Sequence, residues 1–172
     1  MTNSIQKSYG INENTNLKNI CHVVCKVLGN GANDCVDTFM HRIMGAETGH
    51  GTIKDTTVKA AGNGIFQHDR LPFEDNQSRY KQRHIDKVIL SLDINISRVK
   101  WEELEKDIQK GALACRLHFK PFSEPIPGDI VGQAQYWKRY YNTEAGQGSV
   151  KHFLEMNDFD MSMYDISMEV VF

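Results

Sequence analysis

The stretch VDTFMHRIMGAETGHG, residues 36–51, decides the fold of this chain. Its apolar side chains recur every three or four residues, which is the spacing of one face of an α-helix: Val36, Phe39, Met40, Ile43 and Met44. Glu47 is the next residue on that face, because it lies three residues beyond Met44 and four beyond Ile43. The pattern predicts a core helix that carries a carboxylate at its C-terminal end.

A carboxylate at that place is disfavoured from ionising for two reasons. Burial penalises the anion, and the C-terminal end of a helix carries a partial negative charge. Both effects raise the pKa of Glu47 toward the near-neutral value that suits a general acid. The alternative is that the buried face stops at Met44 and that Glu47 points into water, as most glutamates do.

Helical periodicity extends over much of the chain on both sides of this stretch. Residues 17–28 form an amphipathic pattern with Thr15 or Asn16 as the N-cap and Gly29 as the stop. Further helical patterns cover residues 85–92, 104–117 and 130–141. We therefore predict a mainly α-helical (α+β) protein.

Two segments interrupt the helical pattern. KPFSEPIPGD, residues 120–129, holds three of the four prolines and is predicted to be a turn or extended linker. Residues 49–64 are rich in Gly, Thr and Asn, with short β-prone pieces at 52–53 and 57–58. This composition predicts a small β-hairpin or an irregular loop around residues 54 and 55.

The composition is typical of one domain spanning residues 1–172. Of the 172 residues, 40% are hydrophobic and 24% charged, enough for one hydrophobic core without a disulfide or metal. The net charge of -2 does not favour a nucleic-acid partner. The apolar runs are much shorter than the ~20 residues of a membrane helix, and the polar start lacks the apolar region of a secretory signal. We expect no membrane insertion and a protein kept in the cytoplasm where it is made.

Three segments together carry a resemblance to a known family: GAETGHG (45–51), GNGIFQHD (62–69) and YWKRYYNTEAGQGS (136–149). The sequence resembles the lysozyme-like superfamily, in particular soluble lytic transglycosylases, goose-type lysozymes and the phage endolysins built on that core. In those families a helix ends with a Glu, a Gly-aliphatic-x-Gln segment follows, and a Tyr-Asn pair closes the substrate groove. The resemblance covers roughly residues 35–153. The matching positions are Glu47, residues 64–67, Tyr141 and Asn142.

The resemblance implies a lysozyme-like fold, with the small hairpin or loop beside a substrate cleft. It implies cleavage of the β-1,4 bond between N-acetylmuramic acid and N-acetylglucosamine, with no metal and no other cofactor. Glycosidic cleavage needs an acid for the leaving oxygen and a means to stabilise an oxocarbenium-like centre. Glu47 is the predicted acid. Asp55 is the predicted second carboxylate, with Asp69 as the alternative, and lytic transglycosylases manage with one, so hydrolysis and transglycosylation both remain open.

The remaining site residues follow from the resemblance and from residue type. The family tyrosine reaches toward the catalytic Glu, which implies that role for Tyr141, although its helical position also suits a core aromatic. The amide of Gln67 suits contacts to sugar amide or hydroxyl groups. Trp137 could stack on a sugar or pack in the core. The full predicted substrate-binding set is Thr57, Gly64, Phe66, Gln67, Trp137 and Asn142.

An endolysin reading implies a monomer that acts on peptidoglycan glycan strands to lyse the host. It would stay in the host cytoplasm until the membrane is permeabilised, then reach the cell wall or periplasm. One alternative is a zinc-dependent amidase, although HExxH is absent. Another is a peptidase with Cys35 as nucleophile and His50 or His118 as base. A third is a non-catalytic cell-wall binding module.

Overall fold

A computed structural model describes residues 8–54, 62–143 and 146–163 of the chain. Within that part the protein is mainly helical with one two-stranded antiparallel sheet, so the predicted fold class is confirmed at this level. Short 3-10 helices occupy Ile96–Arg98, Trp101–Glu105 and Met161–Met163. The strands are β1 (Gly62–Asn63) and β2 (His68–Asp69). The helices are α1 (Leu17–Leu28), α2 (Val36–Thr48), α3 (Arg70–Ser78), α4 (Gln82–Leu92), α5 (Ile108–His118), α6 (Ile130–Trp137) and α7 (Val150–Glu155).

The first helix begins and ends where the sequence predicts. The Asn16 side chain accepts a hydrogen bond from the Asn19 amide at 2.9 Å and caps α1. Gly29 follows the last turn with φ +89°, a conformation that glycine adopts without strain. The buried face of α1 packs against α2 and α5, which places α1 beside the centre of the core.

The second helix carries the centre of the core. Phe39, Met40, Ile43 and Met44 are fully buried, as the spacing predicts. The helix ends at Thr48, because Gly49 turns into the left-handed conformation and donates its amide to the Gly45 carbonyl at 2.9 Å. The last turn of α2 therefore carries Glu47.

The described hairpin begins near the end of the segment for which the sequence predicts a hairpin or an irregular loop. Its strands pair Gly62 with Asp69 and Asn63 with His68, whereas residues 51–54 form a turn and residues 55–61 lie outside the described residues. Residues 64–67, which the sequence marks as a site motif, are the turn of the hairpin. Gly64 is required there, because its φ is +71° and a Cβ would lie 2.3 Å from the Leu104 carbonyl oxygen. Strands of two residues are too short for a period-2 pattern to reveal them.

Two helical segments depart from the predicted pattern. The helix α3 has no apolar period, because Phe73 is its one buried residue. The predicted helix over 130–141 continues past α6 as a π-helical turn, Lys138–Asn142. The proline-rich segment 120–129 forms no helix, as predicted. None of the helices in the described part combines the length and the apolar character needed to span a bilayer.

Candidate active site

Glu47 joins the C-terminal ends of α2 and α6. Its carboxylate oxygen Oε1 accepts a hydrogen bond from the indole Nε1 of Trp137 at 2.9 Å. Trp137 is 1% exposed, and Glu47 itself is partly buried. The carboxyl group is therefore fixed by a rigid, buried donor rather than directed into open water.

The surroundings of Glu47 shift its acidity toward neutrality. Burial raises the pKa of Glu47 from 4.5 to about 7, the Trp137 N–H opposes the rise because it favours the anion, and the negative charge of Asp69 adds to it. Near neutral pH this carboxyl is therefore easier to protonate than an ordinary glutamate. A group with such a pKa can donate a proton and exist as the anion within one reaction cycle.

The hairpin turn is attached to the end of α2. The hydroxyl of Thr48, the residue after Glu47, lies 3.0 Å from the Ile65 carbonyl oxygen. Gln67 adopts φ +50° and donates its amide Nε2 to the Gly64 carbonyl at 2.8 Å and to the Tyr9 hydroxyl at 3.3 Å. Among the described residues no group donates a hydrogen bond to the Gln67 side-chain oxygen.

Phe66 and Trp137 are buried and do not form the predicted sugar-binding surface. Phe66 is 0% exposed and packs against Gly111, where a Cβ would lie 3.3 Å from its ring. The Trp137 ring lies under the backbone of Gly148, where a Cβ would approach it to 2.4 Å. Because both rings are enclosed, Phe66 contributes packing and Trp137 positions Glu47.

Tyr141 lies in this neighbourhood but makes other bonds than the resemblance implies. Its hydroxyl donates to the Phe66 carbonyl at 2.7 Å and lies 3.3 Å from Nδ1 of His68. Burial raises the pKa of Tyr141 far above its ordinary value, and the charges of Glu47 and Asp69 add to the shift. Tyr141 is thus close enough for the charge of Glu47 to act on it. Its hydrogen bond to the Phe66 carbonyl stabilises the hairpin turn.

Asn142 organises the turn that follows. Its side-chain oxygen accepts a hydrogen bond from the Lys138 ammonium at 2.9 Å, and the same ammonium donates to the carbonyls of Thr143 and Gly146. These bonds hold the segment whose Gly148 covers the Trp137 ring. Asn142 acts on the site through that contact.

Of the two candidates for the second carboxylate, the structure describes Asp69 but not Asp55. Asp55 and Thr57 lie outside the described residues. Asp69 ends β2, precedes α3 and is exposed, and its charge reaches Glu47. Asp69 is therefore the described carboxylate that the structure brings toward the predicted acid.

Sequence reasoning missed two residues of this neighbourhood. His68 is buried, and its Nε2 donates to the Gly111 carbonyl at 3.0 Å; burial lowers the pKa of His68 to about 4. Its place directly after Gln67 was the one available signal. Tyr9 is buried although it lies in the polar N-terminal arm, where no periodicity marks it.

A small cavity adjoins the hairpin turn. Its volume is about 60 Å³, room for a few water molecules or one small polar group. Glu47 lines none of five pockets identified among residues 8–54, 62–143 and 146–163. The Tyr80 hydroxyl is buried there without a hydrogen-bond partner in the described part of the chain. The polar lining consists of Gln67, His68, Asp69, Asn76, Tyr80, His118 and Tyr141.

The geometry of the described residues gives little support to a zinc-dependent amidase or to a Cys35 peptidase. Within the described ranges, no three His, Cys, Asp or Glu side chains converge as a metal site. The Cys35 thiol donates to the Pro127 carbonyl at 3.3 Å, and burial raises the pKa of Cys35, the opposite of what a nucleophilic thiolate needs. The rings of His50 and His41 lie 4.4 Å apart at a tilt of 34°, and His118 is hydrogen-bonded to Asn76 and to the Tyr140 carbonyl.

Comparisons with known proteins add no relative to this picture. No protein-family model matches the sequence, and no match was found among curated proteins or solved structures.

Proposed function

We propose that this protein is a glycosidase of the lysozyme-like class, which cleaves the β-1,4 bond between N-acetylmuramic acid and N-acetylglucosamine in peptidoglycan. Glu47 is the general acid. One observation carries the proposal: the Glu47 carboxyl lies in the last turn of a core helix, accepts a hydrogen bond from the Trp137 indole at 2.9 Å and has a pKa of about 7. The order of the sequence motifs supports the same assignment.

The chemistry assigned to Glu47 uses both of its protonation states. The protonated carboxyl donates its proton to the glycosidic oxygen as the bond from the sugar carbon to that oxygen breaks. The carboxylate left behind keeps the hydrogen bond from Trp137, which stabilises the new anion. We assign to the exposed carboxylate of Asp69 the stabilisation of the positive charge on the sugar or the activation of water, and the support is that its charge acts on Glu47.

Gln67 is the residue proposed to orient the substrate. Its amide nitrogen is already bonded to Gly64, which fixes the side chain, and its oxygen has no donor among the described residues. An N-acetyl sugar offers an amide N–H of the matching type. Gln67 then contributes to binding rather than to proton transfer.

The proposed setting is that of a phage endolysin. Such an enzyme acts as a monomer on glycan strands, reaches the wall after a separate protein permeabilises the membrane, and lyses the host cell. The resemblance over residues 35–153 supports this setting, and the lytic activity makes the protein an antimicrobial candidate.

The decisive test is Glu47→Gln, which keeps the shape of the side chain and removes the acid. We expect its rate of solubilising purified cell walls to fall at least about 100-fold, the usual minimum for loss of general acid catalysis. Circular dichroism and wall co-sedimentation should not change. The matched control is Glu155→Gln, an exposed glutamate on α7.

The released fragments separate the alternatives. A 1,6-anhydro terminus in mass spectra marks transglycosylation, and a reducing end marks hydrolysis. Full activity of Glu47→Gln would overturn the proposal. Activity lost on chelation would instead indicate zinc chemistry, activity lost on thiol alkylation would indicate Cys35, and wall binding without cleavage would indicate a binding module.

A further inference from the structure

A cluster of positive charge stands apart from Glu47 in a chain whose net charge is -2. Burial, together with the positive charges of Arg116, Lys87 and Arg83, lowers the pKa of Lys120 to about 8. The pKa of His84 is likewise lowered by burial and then by neighbouring cations. The cationic cluster consists of Lys81, Arg83, His84 and Lys87 on or beside α4 and Arg116 and Lys120 at the end of α5.

Arg116 is the buried member of the cationic cluster. It is 5% exposed, and its Nε donates to the Gly29 carbonyl at 2.8 Å. Among the described residues no carboxylate lies within ion-pair distance of Arg116 or Lys120. A guanidinium has five N–H groups, and the described part of the chain gives a partner to one of them. The guanidinium therefore keeps most of its donors.

Arg116 and Lys120 line a cavity of about 260 Å³. The aromatic side chains of Phe119, Phe122 and Tyr136 contribute further walls. One carboxylate, Glu124, belongs to the lining; it accepts a hydrogen bond from the Tyr140 hydroxyl and lies 3.4 Å from the Arg139 guanidinium. That carboxylate is engaged by other groups, so two cations remain on the wall of a partly apolar cavity.

Helix capping explains only part of this arrangement. The Arg116 Nε and the Lys120 ammonium donate to the carbonyls of Gly29 and Leu28, which complements the C-terminal end of α1. That role uses one N–H from each cation. Among the described residues it leaves the other donors of Arg116 without protein partners, and none of these nitrogens is a buried atom that lacks a partner, so they open to solvent. An anion in the cavity would replace that solvent and supply the counter-charge.

We propose that this cavity binds a phosphate group, with the Arg116 guanidinium and the Lys120 ammonium as its ligands. An arginine fork pairs with two phosphate oxygens at once, and a lysine adds a compact charge. The phosphate can come from the free anion or from a phosphodiester polymer such as a polyol phosphate, for which Lys87 and Arg83 continue the positive surface. The site goes beyond the proposed function and does not depend on Glu47.

Inorganic phosphate is the first probe, titrated into the full chain at constant ionic strength while amide NMR signals are recorded. We expect saturable shifts confined to residues 31–36 and 116–126. Lys120→Gln should weaken the affinity at least about tenfold, the effect of losing one charge-assisted hydrogen bond. Lys151→Gln, an exposed lysine on α7, should leave it unchanged. Absence of saturation at millimolar phosphate, or equal saturation by acetate, would overturn the site.

The second arm identifies the source of the phosphate. A short poly(glycerol phosphate) should bind more tightly than inorganic phosphate if the polymer is the ligand, and Lys87→Gln should weaken the polymer alone. Equal affinity would assign the free anion. Glu47→Gln should bind both probes normally, so failure of the glycosidase proposal and failure of the phosphate site are distinguishable.

Discussion

Glu47 and Arg116 both lie beside the C-terminal end of a helix, and the helix acts on them in opposite directions. The partial negative charge at the end of α1 attracts the cations Arg116 and Lys120, whose N–H groups bond its last carbonyls. The same partial charge at the end of α2 repels the anion of Glu47, which burial already disfavours. At the end of α1 the helix favours the cations, while burial opposes their charge and lowers the pKa of Arg116 and Lys120. At the end of α2 the helix and burial both oppose the anion, so Glu47 is retained at a cost in stability. Such a cost is common at functional sites.

The largest stability effect is expected from Glu47→Gln, as a function of pH. Because folding raises the pKa of Glu47 from 4.5 to about 7, the folded state binds its proton more tightly. The resulting stabilisation is fully present below pH 4.5 and is lost as the pH rises through about 7. The variant cannot ionise, so it should exceed the wild-type free energy of unfolding by about 3 kcal/mol at pH 8 and by little at pH 4.5.

Urea unfolding at the two pH values measures this difference, and Glu155→Gln is the control. Buried histidines such as His68, whose pKa is lowered to about 4, destabilise the protein in acid, but they do so equally in both variants. If wild type and Glu47→Gln had equal free energies of unfolding at pH 8, Glu47 would not be destabilising, and its contrast with Arg116 would be wrong.

Arg116→Gln should change stability in the other direction. The shorter amide loses the bond to the Gly29 carbonyl and leaves the end of α1 without that donor. A bond from a charged donor contributes about 2 kcal/mol, so the free energy of unfolding should fall by about that amount. Thermal unfolding monitored by circular dichroism measures the loss. The exposed neighbour Arg83→Gln, which caps no helix, should lose much less, and a similar loss there would argue against a capping role for Arg116.

The sequence predicts the helices around Glu47 better than it predicts the contacts between them. Periodicity predicts Glu47 as the next residue on the apolar face of α2, but it leaves open whether that face stops at Met44. The bond from Trp137 joins residues 90 positions apart, and no local pattern contains it. Helical spacing indicates only that Trp137 is apolar and inward-facing. Which carboxylate its indole meets depends on how α2 and α6 pack.

The sequence does not predict the cationic cluster, for a similar reason. Its members come from α4 and α5, and the whole-chain charge of -2 conceals them. The hairpin at 62–69 and α3 illustrate a second limit: strands of two residues and a helix with Phe73 as its one buried residue leave almost no periodic signal. Long amphipathic helices are readable from sequence, whereas short elements and long-range polar contacts are not.

Trp137→Phe tests how the anion of Glu47 is stabilised. Phenylalanine keeps an aromatic ring but lacks the N–H, so the carboxylate loses its described donor and the pKa of Glu47 should rise by about one unit. Carboxyl-labelled NMR titration measures this pKa directly, and the pH profile of wall cleavage should move in the same direction. Trp101→Phe is the matched control, because its indole donates to the His68 carbonyl at 2.6 Å instead. An unchanged pKa in Trp137→Phe would exclude the indole as a stabiliser of the anion.

The smallest shift is expected from Asp69→Asn, which removes the negative charge that raises the pKa of Glu47. Because Asp69 is exposed, solvent screens the interaction, so the pKa of Glu47 should fall by only a few tenths of a unit and by less at about 1 M salt. Asp93→Asn, an exposed aspartate after α4, is the control. A shift that small changes the protonated fraction by less than about twofold. If wall cleavage by Asp69→Asn nevertheless falls by an order of magnitude or more, Asp69 contributes to the reaction itself, whereas a loss within twofold assigns it only an electrostatic effect on Glu47.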